Sequence, residues 1–266
     1  MQAFLETAEE AARAAGRVLL GYFRRLTSFD YKGARDLVTE GDRHSERVIC
    51  KVLVERFPGH VFYTEEDRER PDASGIKDNW VWFVDPLDGT TNFVHGIGFF
   101  SVTLCLYGHG QPLLGLVYDP IADELFTAVR GEGARLNGQP VRVSTSRALP
   151  ESLLATGFAY NLTDSDNTDH VAHFVPLIRD LRRMGSAALD LAYVACGRLD
   201  GYWEYGLEAW DHAAGALLVE EAGGQVTDFT GRPMRYDYKS IAASNGLIHL
   251  DMLKVLAQGR TGMGQA

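Results

Sequence analysis

The chain is poor in cysteine, with three thiols, Cys50, Cys105 and Cys196, in 266 residues. They sit in apolar runs such as Val48-Ile49-Cys50 and Val102-Thr103-Leu104-Cys105-Leu106. No ligand spacing links them, which excludes a disulfide framework or thiolate metal site and predicts buried thiols in a reducing compartment. Basic charge is also scarce: 26 Lys and Arg against 36 Asp and Glu leave a formal net charge of -10. A broad footprint on nucleic acid or an anionic membrane is therefore not expected, and a cation is the better matched partner. No apolar run reaches transmembrane length. The first residues, Met1-Gln2-Ala3-Phe4-Leu5-Glu6, turn acidic at once, without the basic stretch and apolar core of a secretory signal. A cytoplasmic protein is expected. Internal repeats and low-complexity tracts are missing too, and only residues 258–266 have the Gly-rich polar character of a frayed end.

What the chain does have is apolar material, 45% of its residues, enough for one large α/β unit or two closely packed halves. Along residues 4–26, Phe4, Ala8, Ala11, Ala12, Ala15, Val18, Leu19, Tyr22, Phe23 and Leu26 keep the spacing of one helical face. The same pattern over residues 42–57 predicts a second helix, stopped by Pro58-Gly59. Residues 61–63 and 80–84 read as short strands that deliver Glu65-Glu66 and Asp85 at their C-terminal ends. Strand patterns over 101–107, 113–118 and 124–129 predict an antiparallel meander, with a further hairpin at Asn137-Gly138. Beyond it the pattern alternates, with strands at 152–156 and 202–204 and helices over 171–181, 187–196 and 211–222. Such alternation predicts a layered α/β architecture.

The chemistry is concentrated in Asp85-Pro86-Leu87-Asp88-Gly89-Thr90-Thr91-Asn92, which places two carboxylates three residues apart across a proline. Proline and glycine restrict the backbone to a tight turn that can aim both carboxylates and a carbonyl at one point. An oxygen-rich cluster without nitrogen or sulfur suits a hard ion such as Mg²⁺. An ordinary Asx-turn followed by a helix cap is the competing reading. Glu65-Glu66, Asp211 and Asp42 weigh against it, each standing beside an apolar element where an unpaired carboxylate is costly. Asp211 reads equally as the N-cap of its helix. Gly89-Thr90-Thr91 and Gly185-Ser186-Ala187 are small-residue helix starts whose N–H groups match a phosphate or, blandly, a cap.

These residues resemble the inositol monophosphatase family. Trp82-Phe83-Val84-Asp85-Pro86-Leu87-Asp88-Gly89-Thr90-Thr91-Asn92-Phe93 is similar to its first signature and Trp210-Asp211-His212-Ala213-Ala214-Gly215 to its second. The likeness extends through Val38-Thr39-Glu40-Gly41-Asp42, Tyr63-Thr64-Glu65-Glu66 and Glu220-Glu221-Ala222-Gly223-Gly224, nearly the whole chain. It implies an α/β (α+β) layered αβαβα sandwich of the inositol monophosphatase and fructose-1,6-bisphosphatase type. Residues 1–266 would form a single catalytic unit, with most metal ligands in 1–145 and with Asp211 and the contacts to the substrate ring in 146–266.

By matching position, the resemblance implies Glu65, Asp85 and the Leu87 carbonyl on one Mg²⁺, and Asp85, Asp88 and Asp211 on a second. A third ion is compatible with the family, and Mn²⁺ would substitute. Asp42 would pair with Thr90 to orient and deprotonate the attacking water beside Glu65, while Gly89 and Thr90 offer N–H groups to the phosphate. Asp88, Gly185, Ser186, Ala187, Glu204 and Asp211 would touch the substrate, and Glu66 follows the second motif glutamate. Lys32 matches the family's loop lysine once one residue is deleted before Asp36. His44, His95 and His212 read as structural or rim residues.

The implied activity is Mg²⁺-dependent hydrolysis of inositol monophosphate, or of a similar small polyol or sugar phosphate, by a homodimer inhibited by Li⁺. Fructose-1,6-bisphosphatase, histidinol phosphatase and nucleotide 3′-phosphatase chemistry share the same metal core, and Arg182-Arg183 keeps a nucleotide open. A non-enzymatic protein in which the metal cluster only stabilises the fold is the rival from another class.

Overall fold

A computed structural model describes residues 1–25, 29–31, 37–66, 79–158 and 168–259. Helix α1 (Gln2–Tyr22) buries Ala8, Ala11, Ala12, Ala15 and Leu19 along one face, as its spacing predicts. It stops at Tyr22 rather than continuing to residue 26, because Phe23 turns extended and Arg24 takes a left-handed φ of 61°. The Phe23 ring leaves the helix for Phe93 and Phe100, and the Arg24 guanidinium donates to the Gly96 carbonyl. After a two-residue ribbon of β1 (Asp30–Tyr31) and β2 (Leu37–Val38), α2 (Glu40–Arg56) opens on a capping box. Thr39 accepts the N–H groups of Gly41 and Asp42, and the Asp42 carboxylate accepts the Thr39 N–H.

Seven strands follow in spatial order: β3 (Val61–Thr64), β4 (Val81–Asp88), β5 (Ser101–Gly108), β6 (Gln111–Asp119), β7 (Glu124–Val129), β8 (Gly133–Leu136) and β9 (Gln139–Pro140). Only the β3–β4 pair is parallel. Alternation of side chains sends Trp82, Val84, Val102 and Leu104 into a core shared with α1 and α2, while Phe83 and Cys105 face the opposite side. Short α3 (Thr90–Val94) lies between β4 and β5.

The remaining strands, β10 (Leu153–Thr156), β11 (Asp180–Arg182), β12 (Gly201–Tyr205), β13 (Gln225–Thr227) and β14 (Ser240–Ser244), form a mixed sheet in the order β11-β10-β12-β14-β13. A helix expected over 171–181 is not continuous: α4 (Thr168–Phe174) ends ahead of Pro176, and Asp180–Arg182 instead pairs with β10 as an edge strand. Proline lacks the N–H a helix interior needs and restricts the residue before it. Helices α5 (Ala187–Ala195) and α6 (Ala209–Glu221) lie between the two sheets, in the largest core. On the far side, α4 and α7 (His249–Leu256) cover the five-stranded sheet around Phe174, Trp203, Phe229 and Met252. Helix pair, sheet, helix pair, sheet and helix pair make up the layered αβαβα sandwich. None of the described helices is long and apolar enough to cross a membrane.

Candidate active site

In a regular strand, residues 85 and 88 would point to opposite faces. The β4–β5 register shifts between Asp85 and Asp88, so that Asp85 stands opposite Thr103 and Asp88 opposite Ser101. One residue of slip sends Leu87 into the α1–α2 core and leaves Asp88 on the side of α5 and α6. The proline and glycine of the motif make that irregular turn possible. Gly89 has a φ of 99°, and a Cβ there would stand 3.1 Å from the Phe99 carbonyl and 3.2 Å from that of Gly185. The two small-residue turns are thus packed backbone against backbone, and Asn92 clamps them by donating to the carbonyls of Phe99 and Met184 at 2.7 and 2.8 Å.

Each carboxylate is held by donors from its own neighbourhood. Asp85 accepts the Leu87 N–H at 2.9 Å. Asp88 accepts the Ser186 hydroxyl at 2.5 Å and the Ala188 N–H at 2.8 Å, which ties β4 to the start of α5. Ser186 is the N-cap of α5, as read from the sequence, since its hydroxyl accepts the Leu189 N–H. Asp211 is not an N-cap: the cap of α6 is Glu208, and Asp211, three residues on, completes the capping box by accepting the Glu208 N–H at 2.7 Å. The consequence is the same anchored carboxylate, delivered from the first turn of a helix.

Burial pushes the Asp85 carboxyl well above its ordinary range, and Glu65, Asp88 and Asp211 push it further. Asp211 is raised well above by burial and by Glu65. Asp88 is raised to about 6, again by burial, against the lowering effect of Ser186 and the Ala188 N–H. Asp85 is only 2% exposed, so its carboxyl meets its acidic neighbours in a place shielded from water. Among the described residues, no three His, Cys, Asp or Glu side chains are arranged as a closed cage for an ion. Each of the three aspartates is instead held on its own local donor. An all-oxygen donor set fits a hard divalent cation.

Beside this group, Asp42 and Thr90 meet as the resemblance implies. The Thr90 hydroxyl lies 3.2 Å from Asp42 Oδ1 and 3.1 Å from the Leu87 carbonyl. Asp42 is fully buried, its other oxygen fixed by the Thr39 N–H and hydroxyl. Glu65 continues β3, its N–H bonded to the Val84 carbonyl, and Glu66 is fixed through its N–H by Glu46 of α2. Lys32 lies outside the described residues.

A cavity opens over Asp88 and Asp211, walled by Gly185, Ser186, Ala187 and Glu204. Glu204 of β12 is buried, and burial raises its carboxyl to about 7 while the Tyr202 hydroxyl donates to it. Gly157 packs so closely on Glu204 that any side chain there would displace it. Sequence reasoning missed Asp190 and Phe158 on the same wall. For Asp190 the signal was present: a lone acid within the apolar run Ala187–Ala195. The histidines stand apart, with His95 exposed, His44 against Tyr22, and His212 buried and held neutral as burial pushes its imidazole down to about 4.

The description "Inositol monophosphatase family" belongs to a family model that matches residues 1–260. An inositol-1-monophosphatase of Synechocystis is 42% identical over 260 residues, 97% of this chain and 90% of that protein. The Nus factor SuhB of Pseudomonas aeruginosa is 44% identical over 251 residues, 92% of each chain. Among solved structures, the inositol monophosphatase of Anabaena superposes with a TM-score of 0.87 at 42% identity, over 97% of this chain and 96% of that one. With the anchored acids, the glycine turns and the layered sandwich all in place, the chain belongs to the inositol monophosphatase family.

Proposed function

We propose that this protein hydrolyses the phosphate monoester of inositol or a closely similar polyol, with Mg²⁺ as its cofactor. One observation carries the reading: Asp85, buried among Glu65, Asp88 and Asp211, lies beside two main-chain turns and a hydroxyl–carboxylate pair. A structural ion would need the acids but not the pair.

Glu65, Asp85, the Leu87 carbonyl, Asp88 and Asp211 would hold the ions, two or more of them. When bound, Mg²⁺ supplies charge neutralisation for the phosphate and lowers the pKa of water. The protein's own groups do the rest. The Thr90 hydroxyl, by donating to Asp42 Oδ1, keeps its oxygen free to accept a proton from the attacking water, and Asp42 is placed to receive one in turn. The N–H groups of Gly89 and Thr90 open α3 without acceptors in the helix and match phosphate oxygens. Ser186 and Ala188 fix Asp88, and through the same turn Gly185, Ser186 and Ala187 position the ring. Glu204 accepts a ring hydroxyl. The family resemblance extends the reading to a cytoplasmic homodimer, to inhibition by Li⁺ and to Mn²⁺ as a substitute.

Phosphate released from myo-inositol 1-phosphate by the purified protein tests it. Release should need Mg²⁺ and stop with EDTA. Turnover that survives exhaustive chelation, or its absence on every polyol phosphate tried, overturns the proposal.

A further inference from the structure

We propose that Asp190 is a specificity-determining residue of the cavity, binding, beside Glu204, a hydroxyl of the polyol remote from the phosphate ester. This assignment rests on the polyol-phosphatase reading above and adds a second acid to the ring end of the site.

Asp190 lies one turn into α5, among Ala187, Ala188, Leu189, Leu191 and Ala192, all buried. It is itself 1% exposed, lines the cavity, and its Oδ1 has no hydrogen-bond partner among the described residues. A helix so apolar has no structural need of an acid there. Leaving a buried carboxyl oxygen unsatisfied destabilises the fold, whereas an apolar residue of similar volume would cost nothing of the kind. Such a group is accounted for if a ligand satisfies it.

The neighbours define the ligand's chemistry. Burial raises the Asp190 carboxyl, Glu204 and Asp88 raise it further, and Arg183 lowers it. A second phosphate or a carboxylate placed there would face two acids against one guanidinium. A neutral hydroxyl, which both donates and accepts, suits either protonation state of the pair. Glu204 is already committed in part to the Tyr202 hydroxyl. The free oxygen of Asp190 therefore offers a separate point of attachment. The inferred class is a polyol monophosphate with neutral hydroxyls at its far end, and a bisphosphate is disfavoured.

The experiment compares kcat and KM of wild type, Asp190→Leu and Asp190→Asn on myo-inositol 1-phosphate and on p-nitrophenyl phosphate, with Mg²⁺ present. For Asp190→Leu, the polyol-to-aryl ratio of kcat/KM should fall by about tenfold or more, chiefly through KM for the polyol. Asp190→Asn, which retains an acceptor oxygen, should recover most of the ratio. A ratio in Asp190→Leu within about threefold of wild type, both substrates losing alike, overturns the assignment. If Asp190→Leu does not fold, Asp190→Ala is read by the same criteria. Wild-type protein that cleaves the aryl ester but no polyol phosphate would instead refute the underlying reading, and this assignment with it.

Discussion

Thr90 has a single hydroxyl proton and two acceptors within reach, Asp42 Oδ1 at 3.2 Å and the Leu87 carbonyl at 3.1 Å. Its oxygen matters to the chemistry only as a proton acceptor, and that role needs Asp42 to draw the proton away. Replacing Thr90 by Val keeps the shape and removes the oxygen, so kcat on an inositol phosphate should fall by roughly a hundredfold or more with a smaller change in KM. Thr90→Ser should restore most of the loss. Equal kcat values for Val and Thr would remove the pair from water activation. At this scale the sequence was most readable where a motif packs several oxygen-bearing residues into a few positions, as in Asp85 to Thr90. It was least readable where a residue acts alone. Asp190 has only its place as a lone acid in an apolar run to mark it in the sequence, and burial with an unmatched oxygen is what sets it apart from an ordinary first-turn acid.

The β4 irregularity shows how an element positions a site: one slip in register gathers Asp85 and Asp88 on the side where α6 brings Asp211. How closely α6 approaches is set by Gly115 of β6, where a Cβ would stand 2.7 Å from the Ala214 carbonyl and 3.1 Å from Ala214 Cα. Backbone cannot yield as a side chain can. Gly115→Ala should push α6 off the sheet, costing about 1–3 kcal/mol by overpacking, and should lower kcat because Asp211 moves with its helix. Thermal melting and turnover check this together; unchanged Tm and activity would show that the contact relaxes for free. Elements with a plain pattern were legible: α1 and α2 each turn one apolar face to a core, and β5–β7 are apolar runs parted by turns and buried on both faces. The third of the chain after residue 170 was harder. Ser240–Ser244 is buried throughout and built of small residues, so it carries neither alternation nor bulk, and the helix expected over 171–181 was interrupted at Pro176. In the candidate site, likewise, the residues were named by pattern, but only the fold revealed that Asp88 is held by α5 and that Asp211 caps α6 from within.

For the whole molecule, the site is a cost to the folded state. Folding gathers Glu65, Asp85, Asp88 and Asp211 into one region, in a chain whose net charge is already -10. In the unfolded chain these acids are apart and hydrated. A divalent cation that binds only the folded form removes the repulsion and adds RT ln(1 + [L]/Kd), about 1.4 kcal/mol at ten times Kd, or about 3 °C in Tm for a chain of this size. Asp85→Asn keeps an acceptor for the Leu87 N–H while deleting the charge that its neighbours oppose. In EDTA the variant should therefore melt above wild type although it is inactive. Added Mg²⁺ should reverse the order, raising wild type by several degrees and the variant little, because the variant has lost the shared ligand. Melting curves of both proteins in EDTA and across a Mg²⁺ titration decide it. A wild-type Tm indifferent to Mg²⁺, or an equal rise in both proteins, would mean that the acids do not share a cation and that their burial is a feature of the fold alone.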